Sequence, residues 1–295
     1  SLREAPLSHW FVRAPDHLGD GILARPLVAA VSRGRRVTVG GPVWCADLYG
    51  DLDLSVGPPE PPPGVDLAVL CKPAFRAAWN TRRVPRRVGW PTDHRAFLLT
   101  DRVVPPAGHR LDAYAALGEA VGVSVSALPS IPCRPDGLGG VVMLPFSASG
   151  PPVEWTGYRP LADALRARGH VVRFCGGPGD EARLAQLAGP HPVVPTLGVS
   201  DVMGVLAGAE SVIGNDSGLT HLAAAARRGC QRSVAHVIGI AGSTSPLRTG
   251  APGARWLHAP LPDCAPCYRK GCHRDLACLR LPIDDVLDVV LAALS

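Results

Sequence analysis

Along the chain, short apolar runs alternate with longer segments whose apolar residues recur at helical spacing. Trp10-Phe11-Val12-Arg13 reads as a buried strand; the polar loop Ala14-Pro15-Asp16-His17-Leu18-Gly19-Asp20-Gly21 and a helix over 22–32 follow. Strands are expected at 36–39 and 65–70, and helical spacing over 109–121 closes the first half. A second series begins after it. Strands are predicted at 140–144, 170–174, 192–194, 209–213 and 233–240, with helices over 157–168, 180–188, 200–206 and from 219 onward. An amphipathic helix over 283–294 ends the chain. Such alternation predicts an α/β protein with two doubly wound parallel-sheet domains, 1–132 and 138–295, joined by the breaker-rich stretch 130–137. The proline run 58–63 predicts an exposed connection.

Composition adds bounds. With 46% apolar and 19% charged residues in 295, the chain can build two ordinary cores, and no run of about 18 uncharged apolar residues is present to span a bilayer. No secretion signal opens it, so a cytoplasmic location is expected. The formal charge of +5 leans towards anionic ligands without implying nucleic acid. Its densest basic patch, 81–87, lacks interleaved aromatics and is expected to be a solvated loop.

Candidate chemistry gathers at strand ends. Asp216 and Ser217 lie where the strand 209–213 turns into an alanine-rich helix; both are residue types that cap helices, and the free N–H groups there favour a phosphate. His221 falls one turn inside, facing the same mouth. Asp20, on the loop after the first strand, could take a proton from an attacking hydroxyl in a cleft opposite that elbow, or could simply start its helix. Ser147 and Ser149 belong to a small polar loop after the strand 140–144 that lets donors approach phosphate oxygens. Asp180 ends the glycine loop Gly176-Gly177-Pro178-Gly179, where a carboxylate can bond the paired hydroxyls of a ribose. Gly242-Ser243-Thr244-Ser245-Pro246 is a further small-residue loop after a strand.

In their order these segments resemble glycosyltransferase family 9, the ADP-heptose heptosyltransferases of lipopolysaccharide core. The resemblance rests on Val12 to Asp20, on Gly176 to Asp180, on Asn215-Asp216-Ser217-Gly218-Leu219-Thr220-His221, and on Gly242 to Pro246. It implies a GT-B architecture of two Rossmann-like domains facing a cleft, with the acceptor on the first and the nucleotide sugar on the second. It also implies inversion at the anomeric carbon without a catalytic metal or other cofactor. Asp20 is then the base, Asp216, Ser217, Gly218 and His221 hold the sugar and diphosphate, and Asp180 holds the ribose. The implied partners are ADP-heptose or a related nucleotide sugar and a saccharide, lipid-linked or small-molecule acceptor. One element departs: Val153-Glu154-Trp155-Thr156 has no Lys where the family has one to neutralise the diphosphate. Arg159, Arg248 or a residue of the first domain could substitute, the donor could bind differently, or the protein could be a degenerate sugar-nucleotide binder without turnover. The final helix is expected either to cross back to the first domain or to cap the second.

Of nine cysteines, Cys45, Cys71, Cys133, Cys175 and Cys230 are scattered and are read as buried thiols. Cys264, Cys267, Cys272 and Cys278 form a C-x2-C-x4-C-x5-C cluster whose spacing suits a tetrahedral thiolate site. Structural Zn or Fe stands there against reduced thiols or disulfides; with four thiolates and no open position, a metal would be a staple and not a catalytic centre.

Overall fold

A computed structural model describes residues 8–195, 198–269, 271–272 and 274–295, in two compact units, Ser1–Pro129 and Ser130–Ser295. The first unit runs β1 (His9–Arg13), α1 (Leu18–Ser32), β2 (Arg36–Gly40), α2 (Cys45–Tyr49), β3 (Ser55–Gly57), β4 (Leu67–Leu70), α3 (Phe75–Asn80), β5 (Arg86–Gly89), β6 (Asp101–Arg102) and α4 (Arg110–Ala120). Its six strands are all parallel, in the order β3-β2-β1-β4-β5-β6. Parallel strands covered by helices on both faces read as continuous apolar runs, and every residue of β1 and β4 is buried. Phe11, Ala68, Leu70, Ala78 and Val84 form a core on one face.

Helix α1 starts four residues before the expected position, which places Asp20 inside its first turn. Gly21 lets this first turn pack against Trp44, because a Cβ there would lie 2.4 Å from the Trp44 ring. The basic stretch 81–87 is a solvated loop only in part: Arg82 and Arg83 are exposed in a turn, but the rest is built into the fold. Thr81 is fully buried behind α3, and Arg86 and Arg87 belong to β5. Arg86 pairs with Asp101 on β6 at 2.8 Å, and Arg87 Nε donates to the Leu98 carbonyl at 2.6 Å. Charge hid this strand because its basic side chains find partners near the sheet edge. The proline run 58–63 is, as expected, a connection without regular structure, between β3 and β4.

The second unit runs β7 (Val141–Leu144), α5 (Tyr158–Ala167), β8 (Val172–Phe174), α6 (Glu181–Ala188), α7 (Val199–Gly208), β9 (Ser211–Asn215), α8 (Gly218–Gly229), β10 (Val237–Ile240), α9 (Pro246–Thr249), β11 (Arg255–Leu257) and α10 (Ile283–Leu294). The sheet is again wholly parallel, in the order β11-β10-β9-β7-β8. Residues 192–194 make only a parallel bridge, Phe174 to Val193. Helix α10 packs Val286, Leu287 and Val290 into the core of this unit beside Leu161, Leu165 and Ile213.

Residues 131–136 are strapped against α7 and α8. The Ile131 N–H donates to the Ala225 carbonyl and the Asp136 N–H to the Gly204 carbonyl, each at 3.1 Å. A Cβ on Gly229 would sit 1.9 Å from the Ile131 carbonyl oxygen. Gly229→Ala is therefore expected to destabilise by about 1–3 kcal/mol through overpacking, despite alanine's helix propensity. Urea unfolding should show a lower midpoint at unchanged slope.

Candidate functional site

Open parallel sheets bind ligands beyond the carboxyl ends of their strands, where the chain switches direction across the sheet. In the second unit the chain leaves β7 for β8 on one side and returns at β9 on the other, so the switch point lies between β7 and β9. The segment after β7 carries Ser147 and Ser149; the segment after β9 is the Asp216 elbow. Asn215 holds the two together. Fully buried, it accepts from the Trp155 N–H at 3.0 Å and donates to the Pro145 carbonyl at 2.7 Å. The Asp216 N–H bonds the Ile240 carbonyl of β10 at 3.1 Å. Thr220 Oγ1 donates back to the Asn215 carbonyl at 2.6 Å, and Gly214 leaves it room, since a Cβ there would stand 2.4 Å from that oxygen.

The expected capping by Asp216 and Ser217 does not occur. Ser217 occupies the N-cap position of α8 but makes no side-chain cap bond. Asp216 Oδ1 instead faces His221 Nε2 at 3.5 Å, with both side chains buried. Three polar atoms beside this elbow or in the loop after β10 are buried without a hydrogen-bond partner among the described residues: Ser217 Oγ, His221 Nδ1 and Thr244 Oγ1. Each such group costs about 1–3 kcal/mol when left unpaired, and native structures rarely leave them so. Together with the first N–H groups of α8, beginning at Gly218, they make a cradle for a ligand rich in oxygen atoms. Among them Thr244 was not singled out from sequence; only an orphaned buried hydroxyl distinguishes it from its neighbours.

The loops after β7 and β8 are joined by an ion network. The Ser147 N–H donates to Glu154 Oε1 at 2.9 Å, and Glu154 Oε2 pairs with Arg183 at 2.7 Å. Arg183 lies over the Phe146 ring at 3.8 Å and reaches Asp180 at 3.6 Å. Asp180 also closes its own loop, accepting from the Gly177 N–H at 3.0 Å. Ser147 Oγ accepts from the exposed Ser149 N–H at 3.2 Å. Of the cations expected to replace the missing Lys, Arg159 is taken up by Asp163 at 2.9 Å and the Leu187 carbonyl, whereas Arg248 is exposed on α9 just after β10. Arg183 was missed from sequence, since nothing in a helix sequence marks an arginine that turns back onto a neighbouring loop.

In the first unit the switch point lies between β1 and β4. Asp20, half-buried in the first turn of α1, has Arg110 Nε 3.9 Å away. Nearby in sequence, Asp16 pairs with Arg13 at 2.7 Å and with Lys72, which follows β4. Burial lowers the pKa of both Arg13 and Lys72. Lys72 and Arg110 carried no sequence signal.

The four clustered cysteines line one cavity. Burial, and then the neighbouring Cys272, raise the Cys278 thiol. Cys272 Sγ accepts two backbone N–H bonds, from Arg274 and Leu276, at 3.4 Å each. Among the described residues no three His, Cys, Asp or Glu side chains are already gathered as a metal site. This segment braces the loop after β10: the Tyr268 N–H donates to the Ser243 carbonyl at 2.9 Å, and Leu279 packs against Gly242. Cys45, Cys71 and Cys175 are buried as expected, and burial pushes the first two up to about 12 and the third to about 11. Cys133 and Cys230 are not buried; both are half-exposed.

Fold and site together define an α/β protein of two parallel-sheet units, with a polar, unsatisfied cradle at the switch point of the second. The sequence model of glycosyltransferase family 9 (heptosyltransferase) matches residues 138–277, most of the second unit. Lipopolysaccharide heptosyltransferase 1 of Pseudomonas aeruginosa is 36% identical over 121 residues, covering 39% of this chain and 32% of that protein. The match thus spans about a third of that relative's length. Among solved structures, ADP-heptose lps heptosyltransferase II of E. coli superposes with a TM-score of 0.75 at 20% identity, covering 98% of both chains. The iron-containing dodecameric glycosyltransferase TibC of enterotoxigenic E. coli gives 0.65 at 16%, covering 99% of this chain and 77% of that one. These likenesses show the fold, a GT-B pair of Rossmann-like α/β units.

Asn215→Ala should leave the Trp155 N–H and the Pro145 carbonyl unpaired, at a cost of about 2–4 kcal/mol. Thermal unfolding checks this, and a melting temperature within a degree of the native protein's would contradict it.

Proposed function

We propose that the protein is an inverting glycosyltransferase that moves a heptose or a related sugar from an ADP-linked donor to an acceptor hydroxyl, on lipopolysaccharide core or on a small-molecule natural product. The observation that carries the reading is the trio of unpartnered buried atoms, Ser217 Oγ, His221 Nδ1 and Thr244 Oγ1, around the switch point. The match of residues 138–277 to the family 9 model and the ADP-heptose named for a structural relative support the same donor.

In this mechanism the acceptor oxygen attacks the anomeric carbon on the face opposite the diphosphate, Asp20 takes the hydroxyl proton, and ADP departs. Charge develops on the leaving phosphate oxygens. The α8 N–H groups and the Ser217 and Thr244 hydroxyls meet it with fixed dipoles that need no reorganisation. Asp216 holds the His221 ring by Nε2. Nδ1 then donates to a phosphate oxygen in the doubly protonated ring, or accepts from a sugar hydroxyl in the neutral one. Asp180 serves the ribose, and Ser147 and Ser149 the phosphate side. Arg183 and Arg248 are the cations this reading puts in place of the Lys. On the acceptor unit Arg13, Lys72 and Arg110 accompany Asp20 and Asp16, a balance that suits an acceptor with an anionic group. Catalysis needs no metal in this scheme. No helix among the described residues is long and apolar enough to cross a membrane; the reading keeps the protein in the cytoplasm.

A second reading, a sugar-nucleotide binder without turnover, is favoured by one residue: the apolar, buried Val153 at the family's Lys position. ADP release from ADP-heptose over a panel of acceptors separates the two. Asp20→Ala is expected to keep donor affinity and lose about a hundred- to ten-thousand-fold in turnover. Ser217→Ala and Thr244→Ala should each weaken ADP binding by roughly tenfold, about 1.4 kcal/mol. Binding without any ADP release establishes the second reading, and no thermal shift with ADP or ADP-heptose overturns both.

We further propose a structural Zn or Fe held by Cys264, Cys267, Cys272 and Cys278. The shared cavity and the two N–H bonds to Cys272 Sγ suit a thiolate ligand, and iron is named for the structural relative TibC. The ion would supply cross-linking alone, fixing the loop that braces Ser243 and Thr244. Protein purified without added metal should carry about one ion per chain by elemental analysis, and Cys272→Ser should lower both occupancy and melting temperature. A metal-free, equally stable native protein removes the site.

A further inference from the structure

The strap 131–136 crosses α7 and α8 over three glycines: a Cβ on Gly204, Gly208 or Gly229 would lie 2.9, 2.1 or 1.9 Å from its atoms. Cys133 on the strap and Cys230 at the end of α8 meet in this groove, although 97 residues separate them in sequence. Their Sγ atoms are 2.9 Å apart. The Cys230 thiol also donates to the Cys133 carbonyl at 2.8 Å, and Cys133 Sγ faces the Ala226 carbonyl at 3.7 Å. Both side chains are half-exposed, in contrast to the sealed Cys45, Cys71 and Cys175. The sulfurs are within about an ångström of the bonded separation of about 2.05 Å, and neither residue is fully buried.

We propose that Cys133 and Cys230 form a reversible disulfide that staples the strap to the C-terminal end of α8. The oxidant is a low-molecular-weight disulfide such as glutathione disulfide. One protein thiolate attacks a sulfur of the small disulfide and expels a first thiolate; the second protein thiol then displaces the remaining glutathione sulfur. The balance is two protein thiols plus one small disulfide giving one protein disulfide plus two small thiols. Burial and the hydrogen bond with Cys230 raise the Cys133 thiol above its ordinary value. The closed loop is long, so the bond removes much freedom from the unfolded chain. Helix α8 begins at the ligand cradle and ends at this staple, and the bond forms whichever ligand the cradle takes.

The whole protein is incubated with glutathione disulfide or with dithiothreitol, alkylated, and mapped as unreduced peptides. The expected result is one cross-linked pair carrying Cys133 and Cys230, lost with dithiothreitol. Oxidation should raise the melting temperature by roughly 5 °C in the native chain and not in Cys133→Ala or Cys230→Ala. Recovery of both cysteines alkylated, or each capped singly by glutathione, overturns the proposal. A bond without a rise in melting temperature overturns the staple. Should neither variant fold, peptide mapping of the native chain alone decides.

Discussion

The second unit depends on a single buried amide. Asn215 ends β9 at the place where β9 lies beside β7, and its side chain bonds a backbone N–H on one side and a backbone carbonyl on the other. Buried away from water, both bonds are strong and both partners would be costly to orphan. They fix the loop after β7, the backbone at Trp155 and the start of the elbow as one rigid piece. Only such an over-determined frame can hold Ser217, His221 and Thr244 with unpaired polar atoms.

The frame is braced from outside by two further assemblies. Glu154, Arg183 and Asp180 connect the loops after β7 and β8, with Phe146 supplying an aromatic face for the guanidinium. The cysteine segment supports the loop after β10 through Tyr268 and Leu279. Three loops around one switch point are thus held by three chemistries: amide hydrogen bonds, an ion network and a cysteine-lined packing surface. A weakness in any of them reaches the cradle through its backbone.

The first unit follows the same plan with opposite emphasis. Its switch point is charged and half-open: Asp16 is shared between Arg13 and Lys72, and Asp20 lies within reach of Arg110. Here the polar atoms largely satisfy one another. The half-buried Asp20 carboxylate keeps its partner Arg110 at 3.9 Å, whereas the cradle of the second unit leaves buried polar atoms unpaired.

The sequence by itself determined the strand-helix alternation, and with it two parallel sheets, because buried strands and amphipathic helices have different hydrophobic periods. It also placed Asp216 and Ser217 at the turn after β9 and His221 one turn into the helix that follows, while Asp20, expected on a loop, lies in the first turn of α1. Short edge strands escaped it: β3, β6 and β11 have two or three residues each, too few for a period, and β5 is masked by its arginines. Tertiary structure alone decided which side chains meet. The caps expected of Asp216 and Ser217 gave way to an Asp216–His221 contact and a free hydroxyl, Arg183 turned back onto another loop, and Cys133 reached Cys230 across 97 residues. Local pattern fixes where a residue sits along its own element; the partner it finds depends on strand order and packing, which bring together positions far apart in the chain.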